Sequence, residues 1–328
     1  MGLLVNGLWR NQWYATDETD GRFIRADSAF RDWVTADGSS DYPAAAGRYH
    51  LYVSLACPWA HRTLIFRKLK KLEDVISLSI VDPHMGEQGW RFSAAPGCIP
   101  DTVNGFDYLH QLYTSVRSAY SGRVTVPVLF DKETRSIVNN ESAEIIEMLN
   151  SAFDAYGDAT VDFFPAELRA EMDVLNAEVY EHVNNGVYKA GFATRQAAYE
   201  EAFDALFLTL DKLEARLARQ RYLLGACPTA ADWRLFTTLL RFDTVYYSHF
   251  KCNLRRLTDY PNLWAYLRDL YQLPGVADTV NMSHIKTHYY RSHPTINPSG
   301  VVPKGPLLDF SASHGRENNE PANRNRRA

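Results

Sequence analysis

The sequence predicts an α/β domain followed by an all-helical domain. Three observations carry that expectation. Between residues 49 and 149 the apolar pattern switches from a period of two to a helical period and back again. From about residue 165 the pattern is helical throughout. The length of 328 residues suits two domains, each large enough to bury its own core.

The elements follow in order. Residues 1–45 are mixed and turn-rich, with Asp37-Gly38-Ser39-Ser40, and read as an N-terminal arm over the main fold. Leu51, Val53 and Leu55 then fall on one face of a strand over 49–56. Ile65, Leu69 and Leu72, spaced i, i+4, i+7, set a helix over 58–72. Ile76, Leu78 and Ile80 alternate again, and 126–130 with 136–138 reads as a hairpin. Ile145, Ile146 and Leu149 stripe a closing helix. The order is β-α-β, a long connection over 83–122, then β-β-α, within a domain spanning 46–155.

Gly157, Asp158 and Pro165 interrupt the helices before a second domain over 160–310. There Tyr199, Phe203, Leu206, Leu210, Leu213 and Leu217 mark one long amphipathic helix. Thr229-Ala230-Ala231-Asp232 fits a capping box before the apolar run from Trp233. Pro261 opens a further helix that Pro274-Gly275 closes. Residues 311–328 are polar and read as a frayed tail.

Composition narrows the function classes. Thirty-five Lys+Arg stand against 39 Asp+Glu, a net charge of −4, so nothing pulls the chain toward nucleic acid or an anionic membrane. No apolar stretch approaches the roughly 18 residues of a membrane span. The first residues lack a basic segment leading into an apolar one, so no secretory signal is expected. Asn6 stands where a myristoylation signal wants Ser or Thr. Cys57, Cys98, Cys227 and Cys252 are too sparse for a disulfide scaffold and irregularly spaced for a zinc cage. A cytoplasmic protein is expected, with neither nucleic-acid nor membrane partner. His284 and His288 share a helical face near His293, but no acidic partner completes a zinc pattern and Lys286 and Arg291 would repel a cation. No metal is expected. Arg62, Lys68, Lys70 and Lys71 read as a solvated basic face.

The chemistry-bearing residue is Cys57, which stands where strand gives way to helix. Pro58 suits the first helical position, which places Cys57 at the helix N-terminus. Unpaired N–H groups and the macrodipole there favour a thiolate, the nucleophilic form. A dithiol oxidoreductase would carry a second cysteine three residues on, where this chain has Ala60. A mixed disulfide on Cys57 must therefore be resolved by an external thiol. The plainer alternative is a small buried cysteine at a turn, the reading kept for the other three.

Val126-Pro127 opens the third strand of the domain, where proline is excluded from a central ladder, and a cis bond is one way to resolve the conflict. The Val126 backbone would then face a thiol peptide laid alongside it like an added strand. Ser142 is either a helix N-cap or, with Glu141, part of a ligand site: the helix end for a carboxylate, Glu141 for an amino group. Tyr188 follows Asn184-Asn185-Gly186, a break in the helix that fits a site better than a packed stripe.

The strings CPWAHR (57–62), GRVTVPVL (122–129), NESAEII (140–146) and NNGVYKAGF (184–192) resemble the glutathionyl-hydroquinone reductases, the Xi class of cysteine-type glutathione transferases. Arg241-Phe242-Asp243 with Tyr246, His249-Phe250-Lys251-Cys252 and His288-Tyr289 extend the resemblance to about residue 308. It implies a thioredoxin-like N-terminal domain, a helical glutathione-transferase C-terminal domain and a homodimer. It implies glutathione as co-substrate, bound by Trp90, Arg123, Val124, Thr125, Val126, Glu141 and Ser142. By the same resemblance Cys57 is the nucleophile and Tyr188 the proton donor, while Tyr246 and Tyr289 support the thiolate.

The expected reaction is removal of glutathione from glutathionylated aromatic hydroquinones through a Cys57–glutathione disulfide. A second glutathione would resolve it, giving oxidised glutathione. Two alternatives stand beside it. One is a broader thiol transferase acting on glutathione mixed disulfides or dehydroascorbate; the other is a non-catalytic binder of aromatic ligands.

Overall fold

A computed structural model describes residues 2–317 of the chain. Two compact units emerge, each assembled from separate stretches of sequence. The first comprises the segment up to Tyr14, then Arg25–Asp162 and Asp278–Pro303. The second comprises Ala15–Ile24, Phe163–Ala277 and the segment from Lys304. The sequence expectation instead gave continuous stretches over 46–155 and 160–310.

The first unit opens with β1 (Leu3–Val5), β2 (Leu8–Arg10), β3 (Val34–Thr35) and β4 (Tyr42–Pro43). Next come β5 (Tyr49–Val53), α1 (Pro58–Leu69), β6 (Ser77–Ile80), α2 (Leu109–Val116) and β7 (Gly122–Arg123). β8 (Val128–Asp131), β9 (Ser136–Asn139) and α3 (Ser142–Ser151) complete the α/β pattern. The central sheet runs β6-β5-β8-β9. β5 and β6 are parallel, with His50 opposite Ser77, whereas β8 lies antiparallel to β5, with Tyr52 opposite Val128. All five residues of β5 are buried, as expected of a strand covered on both faces.

The arm is more than a cover. β1 pairs antiparallel with β7, Leu3 opposite Arg123 and Leu4 opposite Gly122. The connection over 83–122 carries α2, whose Leu109, Leu112 and Tyr113 are buried at i, i+3, i+4 spacing. α1 stops at Leu69 rather than Leu72, and Lys71 sits in the left-handed conformation (φ 54°) that often follows a helix C-terminus.

Two members of the expected basic face are in fact buried. Arg62 is 1 % exposed and Lys70 fully covered. Lys70 Nζ donates to Asp154 Oδ1 at 2.8 Å and to the Val161 carbonyl at 2.7 Å. Charge composition could not reveal this, because the hydrogen-bond partners lie eighty or more residues away.

The second unit contains α4 (Arg169–Val179), a π-helical turn over Tyr180–Asn184, α5 (Gly186–Phe192), α6 (Gln196–Leu217) and α7 (Ala230–Arg241). A second π-helical turn over Phe242–Tyr246 follows, then α8 (Tyr247–His249) and α9 (Pro261–Gln272). The capping box at the start of α7 forms as its spacing predicts: Asp232 Oδ2 accepts from Thr229 N at 2.7 Å. Its other oxygen accepts from Leu223 N and Tyr266 Oη, both at 2.8 Å.

The tail expected over 311–328 lies outside the described residues from 318. Its described part is anchored rather than frayed. Arg316 is buried, and its guanidinium donates to the carbonyls of Leu217, Gln220 and Arg221 at the end of α6. The last helix, α10 (Met282–Ser292), belongs to the first unit. Among the described residues no helix is long and apolar enough to cross a membrane.

Candidate active site

β5 ends at Val53, and the chain turns so that Cys57 N donates to the Ser54 carbonyl at 3.2 Å. Cys57 then caps α1 in an extended conformation (φ −75°, ψ 123°) with Pro58 in the first helical turn. The cysteine is only 9 % exposed, and its Sγ lies 3.6 Å from the Val126 carbonyl oxygen. The Val126–Pro127 bond is cis, the resolution that the sequence had offered for a proline at this place. The strand itself begins only at Val128, so Val126 and Pro127 form its approach. Sulfur, helix N-terminus and the approach to β8 thus converge. Of the other cysteines, Cys252 is fully buried and burial pushes its thiol far above the ordinary range. Burial also raises the Cys98 thiol.

The segment from Arg123 to Val126 is held at both ends. The Arg123 guanidinium donates to the carbonyls of Gln12 (2.7 Å) and Trp13 (2.9 Å), and its carbon lies 4.2 Å from the Tyr14 ring centre. Burial lowers its pKa. Val124 and Val126 are buried. Thr125 is pinned by Tyr113, whose hydroxyl donates to the Thr125 carbonyl at 2.9 Å. Asn140 Nδ2 donates to that same phenol oxygen at 3.2 Å. Tyr113 and Asn140 were not singled out from the sequence, although the i, i+3, i+4 spacing of Leu109, Leu112 and Tyr113 carried the signal.

At the α3 N-terminus the cap is Glu141, not Ser142. Glu141 is extended (φ −102°, ψ 113°), and its Oε1 accepts from Ala143 N at 3.1 Å. Ser28 Oγ donates to its Oε2 at 3.0 Å. Ser142 is the first helical residue and is buried, its Oγ 3.2 Å from Arg62 Nη1.

Trp90 is buried against α10, where its ring stacks on His288 at 4.8 Å and 22°. Tyr289 follows on that helix, fully buried, its ring edge-on to His293 at 5.6 Å. His284 and His288 each direct a ring nitrogen at a backbone carbonyl, of Pro96 and Pro83 respectively. Among the described residues no cluster of three or more His, Cys, Asp or Glu is placed to hold a metal ion.

The helical unit brings Tyr188 and Tyr246 together, ring centres 6.0 Å apart. Phe250 stacks on Tyr246 at 5.5 Å and 21°, and meets Tyr188 at 5.4 Å. Tyr246 lies inside one π-helical turn, and Tyr188 stands four residues past the other. Asn184 to Gly186, expected as a break, therefore continue the helix through a widened turn, an arrangement frequent at functional sites.

Two family descriptions match this chain: glutathione S-transferase, N-terminal domain, over residues 56–152, and glutathione S-transferase, C-terminal domain, over 196–269. The chain is 54 % identical to the glutathionyl-hydroquinone reductase YqjG of Escherichia coli, across 97 % of this chain and 99 % of the relative. YqjG has been solved with glutathione bound; that structure superposes with a TM-score of 0.89 at 51 % identity, covering 97 % of this chain and 99 % of that one. The glutathionyl-hydroquinone reductase PcpF of Sphingobium chlorophenolicum is also 54 % identical, across 93 % and 96 % of the two chains. A Xi-class glutathione transferase from Natrialba magadii matches with a TM-score of 0.91 at 49 % identity, covering 96 % of each chain.

Proposed function

The chain belongs to the glutathionyl-hydroquinone reductases, the Xi class of the glutathione S-transferase family, and on that premise we propose how its residues carry the reaction. It reduces glutathionyl-hydroquinones to free hydroquinones with glutathione as co-substrate.

Glutathione lies along the approach to β8, its backbone pairing with Val126. Glu141 takes its amino group, and Ser142 with the α3 N-terminus takes its α-carboxylate. Arg123, Val124, Thr125 and Trp90 line the remainder. Cys57 thiolate attacks the sulfur of the bound conjugate. The S–S bond forms as the bond from sulfur to the ring breaks, and the electron pair goes to the ring carbon. Tyr188 supplies the proton that carbon takes, releasing free hydroquinone. Tyr246 and Tyr289 hydrogen-bond to the anions along the way, favouring the charged form of Cys57. The thiolate of a second glutathione attacks the Cys57–glutathione disulfide, giving oxidised glutathione and restoring the thiolate.

One observation supports this assignment above the others. Cys57 caps α1 beside the Val126 carbonyl, and one turn on stands Ala60 rather than a second thiol. No cysteine follows within the motif to resolve the disulfide, so the co-substrate must. Product analysis by liquid chromatography tests this. Wild type should convert a glutathionyl-hydroquinone and glutathione into free hydroquinone plus one equivalent of oxidised glutathione, and Cys57→Ala should make neither. Product from Cys57→Ala at wild-type rate would remove Cys57 from the chemistry. No hydroquinone release from wild type, with Cys57 still glutathionylated by a small glutathione disulfide, would favour a broader thiol transferase.

A homodimer and a cytoplasmic location complete the proposal. The family resemblance supports the first, and the four cysteines, none of them in a disulfide, support the second. Sedimentation velocity at micromolar concentration checks the dimer.

A further inference from the structure

We propose that Arg62 is a positioning residue for glutathione: by donating to Ser142 Oγ it turns the Ser142 hydroxyl proton toward the γ-glutamyl carboxylate. The inference rests on the reading of Ser142 as a glutathione-binding residue and extends it.

Arg62 lies in α1, five residues after Cys57, and is 1 % exposed. A buried guanidinium is costly unless its donors are used. Its plane is supported by Trp59, whose ring centre lies 4.6 Å from the guanidinium carbon, and Arg25 adds a second cation 4.9 Å from that ring. Guanidinium has only donors, so in the 3.2 Å contact from Arg62 Nη1 the Ser142 oxygen must accept. The Ser142 proton is thereby released for another acceptor. Within the protein it reaches Glu141 Oε1 at 3.5 Å, the outer limit of a hydrogen bond, and that oxygen already accepts from Ala143 N.

A carboxylate arriving at the α3 N-terminus would find a hydroxyl donor already aimed and the Arg62 guanidinium behind it. Lysine would not substitute fully, because a tetrahedral ammonium lacks the flat fork that lies on the indole.

The test is calorimetric titration of the full chain with two ligands. One is glutathione. The other is 4-aminobutanoyl-cysteinyl-glycine, which keeps the amine and lacks the α-carboxylate. Arg62→Met should weaken glutathione about tenfold or more while leaving the analogue nearly unchanged. In a Ser142→Ala background, Arg62→Met should add little. An equal loss for both ligands, or an undiminished loss in that background, would overturn the role of Arg62. If Ser142→Ala itself leaves glutathione affinity unchanged, the reading of Ser142 fails instead. Should Arg62→Met not fold, Arg62→Lys keeps the charge; it should show the same selective loss at smaller size, and wild-type discrimination between the ligands would overturn the proposal.

Discussion

A proton donor aimed at carbon is what separates cleavage of an aromatic thioether from simple disulfide exchange, and Tyr188 is the side chain proposed for it. In disulfide exchange the departing thiolate leaves without help, whereas the departing ring carbon must be protonated. Tyr188→Phe keeps the ring that packs against Phe23, Phe192, Tyr246 and Phe250 and removes only the hydroxyl. Release of hydroquinone should fall by about 10²–10⁴-fold, the range spanned by a positioned general acid. Glutathionylation of Cys57 by a small glutathione disulfide should keep its rate. Stopped-flow measurement of both steps separates them, and wild-type hydroquinone release would remove Tyr188 as donor.

At the scale of elements, the aromatic cluster depends on how closely α5 approaches Phe250. A Cβ on Gly191 would fall 2.2 Å from the Phe250 ring, so the absence of a side chain sets that approach. Helix propensity alone favours alanine over glycine by up to about 1 kcal/mol. Here packing reverses the sign. Gly191→Ala must displace Phe250, and overpacking of this kind costs about 1–3 kcal/mol. A lower thermal midpoint, with slower turnover because Phe250 stacks on Tyr246, is the expected outcome; a raised midpoint would mean that the helix gives way easily. No feature of periodicity marks Gly191, since the tight neighbour is fifty-nine residues distant in sequence.

Across the whole molecule, each unit carries a histidine that burial holds neutral. His50, between Ser77 and Ser79, is lowered to about 4 by desolvation. His249, beside Phe250, is likewise lowered to about 4 by burial, with Lys251 adding to it. The unfolded chain binds these protons near pH 6.5. Between about pH 6.5 and 4 the unfolded state therefore takes up protons that the folded state refuses. Stability present above that window is lost as pH falls, by about 3 kcal/mol for each group. Thermal midpoints of wild type should drop across it, and those of His50→Gln should drop less. Parallel curves would show that His50 does not drive the acid loss.

The β-α-β and β-β-α order, the placement of Cys57 at a helix start, the cis bond before Pro127 and the capping box at Asp232 were all legible in the sequence. Each follows from local rules: period, proline geometry and short-range hydrogen bonding act within a few residues. The arm strand paired to β7, the burial of Arg62 and Lys70, the pinning of Thr125 by Tyr113 and the assignment of α10 to the first unit were not. Glu141 displacing Ser142 as the cap shows the boundary between the two. One residue along the chain decides which side chain caps and which stands first in the helix, and backbone dihedrals settle that choice. What this sequence determined alone is that Cys57 opens a helix with Ala60, not a second thiol, one turn on, because both are local statements; the reaction came with the resemblance of its motifs to a family. What only the tertiary structure decided is which polar groups are buried and what they hold, because desolvation depends on partners brought together from across the chain.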